Sequence, residues 1–200
     1  MASPVRPLRT DAARNRELLL AAAEDEFAER GLSASVADIA RRAGVAKGTV
    51  FRHFASKDDL IAVIVSEHLA VLATAAQRLA DADDPGAALL EFLTLAASER
   101  QQRDLTFLQT VSEADPRVSD VRTALITALT TLVDRARDAE AIRADVTVAD
   151  IFLLLCAPVH VVENLTDPPP DLWRRYLAII FDGLRPAGAS PLPQPAPDLG

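Results

Sequence analysis

The stretch SVADIARRAGVAKGTVFRHF, Ser35 to Phe54, decides the fold. Ser35 followed three residues later by Asp38 is a capping pattern, in which the hydroxyl accepts from the third amide and the carboxylate reaches back. It opens a short helix with Val36, Ile39 and Ala40 on one face and Arg41 and Arg42 on the other. Ala43-Gly44-Val45 ends that helix, because glycine turns left-handed without a Cβ penalty. A second short helix runs from Ala46 to Phe54, with Val50 and Phe54 four residues apart as its buried pair. Val45 and Val50 pack against the first helix, and the small Ala40 allows a close crossing. The second helix then projects at a fixed angle with a polar outer face. This is the layout of a helix-turn-helix, whose second helix enters the major groove with its N-terminal residues at the base edges.

Helical spacing continues on both sides. Before the motif, Asp11 can cap a helix over 12–30 with Leu18, Leu19, Ala22, Phe27 and Ala28 inward, stopped by Gly31. After it, Ser56 caps a long helix with Asp58 and Asp59 in its first turn, running through Leu60, Ile64, Leu69 and Leu72 toward Leu79. Further helices are expected at 86–101, 103–113, 116–139, 147–165 and 169–185. Pro85, Pro116 and Pro169 sit near helix starts, and Pro158 should kink the helix that contains it. The tail from Pro186, with five prolines in its fifteen residues, reads as disordered or extended. The domains read as a basic arm (1–10), a DNA-binding head (11–57), a helical body (58–185) and the tail (186–200).

Composition agrees with an all-α protein. Half of the 200 residues are hydrophobic but only 4% are aromatic, and seven glycines leave little material for hairpins. One cysteine, Cys156, allows no internal disulfide, which suits a reducing cytoplasm. The N-terminus lacks the apolar core of a signal peptide. The stretch Ile151–Val162 holds a proline and a histidine and is too short to span a bilayer, so no membrane partner is expected. The net charge of −8 argues against nucleic acid until it is partitioned. Residues 1–57 carry ten Lys and Arg against seven Asp and Glu, and the remainder eleven against twenty-two. A basic head therefore sits on an acidic body that repels DNA elsewhere. Both lysines, Lys47 and Lys57, belong to the head.

Gly31-Leu32, Ser35-Val36-x-Asp38-Ile39-Ala40, Ala43-Gly44-Val45-x-Lys47-Gly48-Thr49-Val50-Phe51-x-His53-Phe54 and Ser56-Lys57-x-x-Leu60 together resemble the TetR family of bacterial regulators over about residues 10–65. The resemblance implies a three-helix DNA-binding domain followed by a helical ligand-binding and dimerisation bundle. It places Lys47, Gly48 and Thr49 at the groove, with Gly48 allowing close approach. Arg52 reads guanine or grips a phosphate, and Ser35, His53 and Lys57 hold the backbone. Two departures stand out. Ala46 removes a hydroxyl cap often found at that position, and Phe51 replaces the common tyrosine, so no phenol reaches a phosphate. Arg6, Arg9, Arg14 and Arg16 suit either extra backbone contacts or a merely solubilising arm.

In the body, the segment Ile151–Val159 is apolar all round and the last helix is apolar over a wide arc, which suggests burial against a second copy. Leu155, Val159, Val162, Leu172, Tyr176, Ile179 and Ile180 are the interface candidates. Dimerisation through the last two helices is what the resemblance implies, and it would set two recognition helices one DNA turn apart on a palindromic operator. An effector pocket between middle helices also comes from the resemblance. Its candidate lining is Phe92, Leu95, Phe107, Leu108, Val111, Leu125, Leu129, Phe152, Cys156 and His160, each equally suited to ordinary core. His160 and Glu163 share a helix and suit a polar ligand group or an interfacial role, and Cys156 reads as a buried inert thiol. No cofactor, metal or catalytic constellation is expected. A homodimeric repressor released by a small molecule is the leading expectation. A regulator without an effector or under a partner protein, an activator and, remotely, a helical enzyme are its alternatives.

Overall fold

A computed structural model describes residues 8–102, 108, 112, 114–155, 157–163 and 165–197. Among the described residues every regular element is a helix. In chain order these are α1 (Leu8–Arg30), a 3-10 turn (Gly31–Ser33), α2 (Val36–Arg42), α3 (Lys47–His53), α4 (Lys57–Leu79) and α5 (Pro85–Gln102). They continue with α6 (Pro116–Asp138), α7 (Val148–Leu154), α8 (Ala157–Glu163) and α9 (Leu172–Gly183). The helix expected at 103–113 lies outside the described residues apart from 108 and 112. Contacts divide the chain into two compact units, residues 1–67 with 103–119 and residues 68–102 with 120–200.

The first unit packs α1, α2, α3 and the start of α4 around Leu19, Phe27, Ile39, Val50, Phe54, Leu60 and Ile64, all 2% exposed or less. Burial of each such side chain contributes about 2 kcal/mol. The inward stripe of α1 is rotated from the one expected. Leu19, Ala22, Ala23, Glu26 and Phe27 are buried, whereas Leu18 is 46% exposed and Ala28 also faces out. The buried arc also takes in Leu20, and Leu18, one 100° step behind Leu19 round the helix, falls just outside its edge. Asp11 lies inside α1, which begins earlier than its capping role requires.

α4 is long and apolar enough to cross a membrane by length and composition alone. Its apolar residues instead serve the protein core: Leu60, Ile61, Ile64, Val65, Leu69, Ala76 and Leu79 are all buried. After α4 the Arg135 guanidinium donates to the carbonyls of Ala80 and Ala82, closing the C-terminal end of the helix.

The second unit buries Phe92, Leu125, Leu129, Ile151 and Trp173. The helix expected to kink at Pro158 is described in two parts, α7 and α8, with Pro158 in the first turn of α8, where a missing amide costs little. Thr147 and Asp150 form a capping box at the start of α7. The proline-rich tail, described to residue 197, forms turns and bends and is tied down. The Arg143 amide donates to the Leu184 carbonyl at 2.8 Å, and its guanidinium donates to the Ser190 carbonyl and to Asp145.

Candidate nucleic-acid interface

Ser35 caps α2 as its spacing predicts. The Asp38 amide donates to the Ser35 hydroxyl oxygen at 3.2 Å, and the Ser35 amide donates to the Asp38 carboxylate at 3.2 Å. The Ser35 hydroxyl itself donates to Asp38 at 2.5 Å. That hydroxyl, followed by the Arg41 guanidinium, holds the Asp38 carboxyl far below the usual carboxylate range. At the other end, the Val45 amide donates to the Ala40 carbonyl at 3.0 Å and the Gly44 amide to the Arg41 carbonyl at 3.2 Å. With Gly44 at φ +70°, these bonds form a Schellman cap. The helix ends within one left-handed residue, which aims α3.

α3 turns on its buried Val50 and on Phe54, its C-terminal cap residue. Its exposed face carries Lys47, Gly48, Phe51 and Arg52, with Thr49 and His53 half-buried beside them. Four of the residues proposed from the sequence thus share one short helix and one outward side, and Thr49 and His53 flank it. Ala46 provides no side-chain cap, and only backbone closes the first turn, with the Thr49 amide donating to the Ala46 carbonyl at 2.8 Å. The Lys47 ammonium lies 5.9 Å from the centroid of the Phe51 ring, one turn away, so the phenylalanine that lacks a phenol supports the lysine instead.

A charge network sets α2 against α1, and it is centred on Arg42, which the sequence places on an outer face. Arg42 donates to buried Glu26 at 2.8 Å and also to Glu29. The Glu29 carboxyl is lowered chiefly by its hydrogen bond from Arg42, and Arg42 is raised chiefly by the same bond. The second Glu26 oxygen accepts no hydrogen bond but lies 3.3 Å from Arg30 Nε, close enough for charge pairing. Arg41 is exposed and pairs with Asp38. Glu26, Glu29 and Arg30 on successive turns of α1 were the legible signal, but their partner stands 16 residues away in sequence from Glu26.

A second junction fixes the exit from α3. Asp59 accepts from the Ala55 amide at 2.8 Å through one carboxylate oxygen and from Arg117 at 2.8 Å through the other. Arg117 also grips Asp115 with two nitrogens, and these hydrogen bonds, Asp115 first, raise the guanidinium further above its ordinary value. Lys57 does not point away from the protein. Its ammonium donates to the Leu32 carbonyl at 2.5 Å.

Residues 19–64 match the family model of the bacterial regulatory proteins of the TetR family. Residues 84–186 match the model of the C-terminal domain of SbtR-like transcriptional regulators, which covers more than half of the chain. The chain belongs to the TetR family of transcriptional regulators. The transcriptional repressor Rv3405c of Mycobacterium tuberculosis is 52% identical over 52 residues, 26% of this chain and 27% of that protein. The chain therefore matches about a quarter of the length of these curated relatives. A TetR regulator structure from Mycobacterium vanbaalenii is 33% identical, covers 90% of this chain and 99% of its own, and superposes with a TM-score of 0.61. The regulator FadR of Bacillus subtilis, solved with stearoyl-CoA, shares the fold at TM-score 0.63 with 18% identity over 84% of this chain and 99% of that one. Membership in this family makes the protein a DNA-binding transcriptional regulator and not a member of an enzyme family.

The other proposed sites of this TetR-family regulator fall in the body. Val159 and Val162 are buried within their own unit, and Leu155, Leu172, Tyr176 and Ile180 are half-buried. Among the large apolar side chains of residues 148–184, Leu153 (58% exposed), Val161 (49%), Leu165 (46%) and Ile179 (55%) remain outward. Of these only Ile179 was picked from the sequence. Among the effector candidates, Phe92, Leu125 and Leu129 are fully buried core, Leu108 is buried in the first unit, Leu95 and Phe152 are half-buried and His160 is exposed. Phe107, Val111 and Cys156 lie outside the described residues. Two open grooves of about 480 and 270 Å³ share Leu90, Phe181 and Arg185, and no effector candidate lines either of them.

Proposed function

We propose that this TetR-family regulator is a cytoplasmic homodimeric repressor that binds a palindromic operator through α3 and is released by a small-molecule effector. The observation that carries the DNA half is the outward face of α3. Lys47, Gly48, Phe51 and Arg52 are exposed together on a helix aimed by a Schellman turn. Lys47 and Gly48 approach the base edges with Thr49, Arg52 contacts guanine or phosphate, and Ser35 and His53 hold the flanking backbone. The dimer is supported by Leu153, Val161, Leu165 and Ile179, four large apolar side chains left outward within one stretch of the second unit. Two copies related by a twofold axis read inverted half-sites, hence the palindrome. An effector that binds one arrangement of the body better than another lowers operator affinity by its difference in affinity between the two.

Selection of binding sequences from a random duplex library tests the reading. An inverted repeat supports the dimer on a palindrome, and a single half-site refutes it. On the selected duplex, Lys47→Ala and Arg52→Ala should each weaken binding while the far-ultraviolet spectrum stays helical. Each lost phosphate contact should flatten the plot of log affinity against log salt by about 0.9. Unchanged binding of both variants would remove α3 as the reading helix. A thermal-shift screen of small metabolites tests release. A compound that stabilises the protein and frees the duplex supports it, and stabilisers that leave the duplex bound count against it.

A further inference from the structure

Resemblance assigns Lys57 to the phosphate backbone, but the structure gives its ammonium two partners inside the protein. It donates to the Leu32 carbonyl at 2.5 Å, across 25 residues of sequence. It also lies 5.6 Å from the centroid of the wholly buried Phe27 ring. A charged donor on a carbonyl is roughly twice as strong as a neutral one, and a cation over an aromatic face adds to it. Leu32 stands in the 3-10 turn Gly31–Ser33, whose backbone is closed by the Ala34 amide on the Gly31 carbonyl at 3.2 Å. That turn passes through buried Ala34 directly to Ser35, the N-cap of α2. Lys57 itself begins α4, three residues after Phe54 closes α3. One ammonium thus joins the lead-in of α2 to the exit of α3. α3 has seven residues, too few to hold an orientation of its own, so its aim depends on what its flanks are tied to.

We infer that Lys57 is a positioning residue of the DNA-binding head, tying the turn between α1 and α2 to the junction between α3 and α4, and not a phosphate ligand. A phosphate that drew the ammonium outward would forfeit both the carbonyl and the ring. The inference rests on the DNA-binding reading only for its consequence at the operator, because the internal tie belongs to the free protein.

The chain contains two lysines, Lys47 and Lys57, so each can be followed without substitution. The native protein is treated with formaldehyde and a borane reductant, and dimethylation of each lysine is followed by peptide mass spectrometry with and without the selected duplex. Lys57 should react on the order of tenfold more slowly than Lys47 in the free protein, the cost of breaking a charged hydrogen bond. The duplex should slow Lys47 and leave Lys57 unchanged. Equal rates in the free protein, or protection of Lys57 that appears only with DNA, would overturn the inference. Lys47 unaffected by DNA beside a slow Lys57 would instead refute the groove reading and leave the tie supported. As a second measurement, Lys57→Gln should weaken operator binding on the order of tenfold with the salt slope unchanged, and Lys57→Arg should recover most of it because a guanidinium also donates to a carbonyl and stacks on a ring. A slope lower by about 0.9 per head in Lys57→Gln identifies a phosphate contact and refutes the positioning role.

Discussion

Gly48 occupies the second position of α3, and a methyl group built there meets no atom within 4 Å. Its backbone is helical, so glycine gains nothing from left-handed freedom and costs chain entropy instead. Gly48→Ala should therefore stabilise the protein by about 0.5–1 kcal/mol. For a chain of this size that raises the melting temperature by roughly 1–4 °C. The open space exists only in the free protein, because α3 must lie against DNA to read it. An added methyl on that face holds the backbone off the duplex, with a loss on the order of tenfold or more in operator affinity when close contacts are forfeited. Gly44→Ala provides the opposite control. It too has nothing within 4 Å, but at φ +70° a Cβ costs about 1–2 kcal/mol in backbone strain alone. Differential scanning fluorimetry and fluorescence anisotropy on a labelled duplex measure both properties. A Gly48→Ala protein that melts higher and binds as tightly as before would refute the close-approach role. One that melts lower would refute the account of α3 itself.

Three further outcomes follow from the described contacts. Ile179→Glu places a charge on the most exposed apolar residue of α9, and it should shift the proposed dimer toward monomer in sedimentation without lowering the melting point of the isolated chain. Arg117→Ala should weaken operator binding although Arg117 lies outside the helix-turn-helix, because Asp59 loses the partner that steadies the α3–α4 turn; titration by anisotropy measures this. Asp38, Glu29, Asp115 and Asp145 all have folded-state carboxyl values below their ordinary ones, held by Ser35 and Arg41, Arg42, Arg117 and Arg143 respectively. Their stabilisation is fully present above about pH 4–5, the unfolded range, and is lost as pH falls through the lower folded values. Urea midpoints should thus hardly change between pH 7 and pH 5 on account of these groups and drop toward pH 3, and a midpoint unchanged at pH 3 would contradict the pairing.

Local chemistry made much of the head legible without a fold. The Ser35–Asp38 box, the glycine stop at Gly44, the bare Ala46 cap and the apolar pair Val50 and Phe54 act within four residues of one another, and all appear as read. The partition of charge between head and body is likewise a property of the chain alone. Tertiary structure decided which surface residues are engaged, because that depends on groups distant in sequence. Arg42 answers Glu26 across 16 residues, Lys57 answers Leu32 across 25, and Arg117 answers Asp59 across 58. Burial of Leu19 rather than Leu18, and of Val159 and Val162 within their own chain, was settled the same way. Periodicity defines a helix to within one residue's rotation, about 100°, and only a packed neighbour selects the face that leaves water.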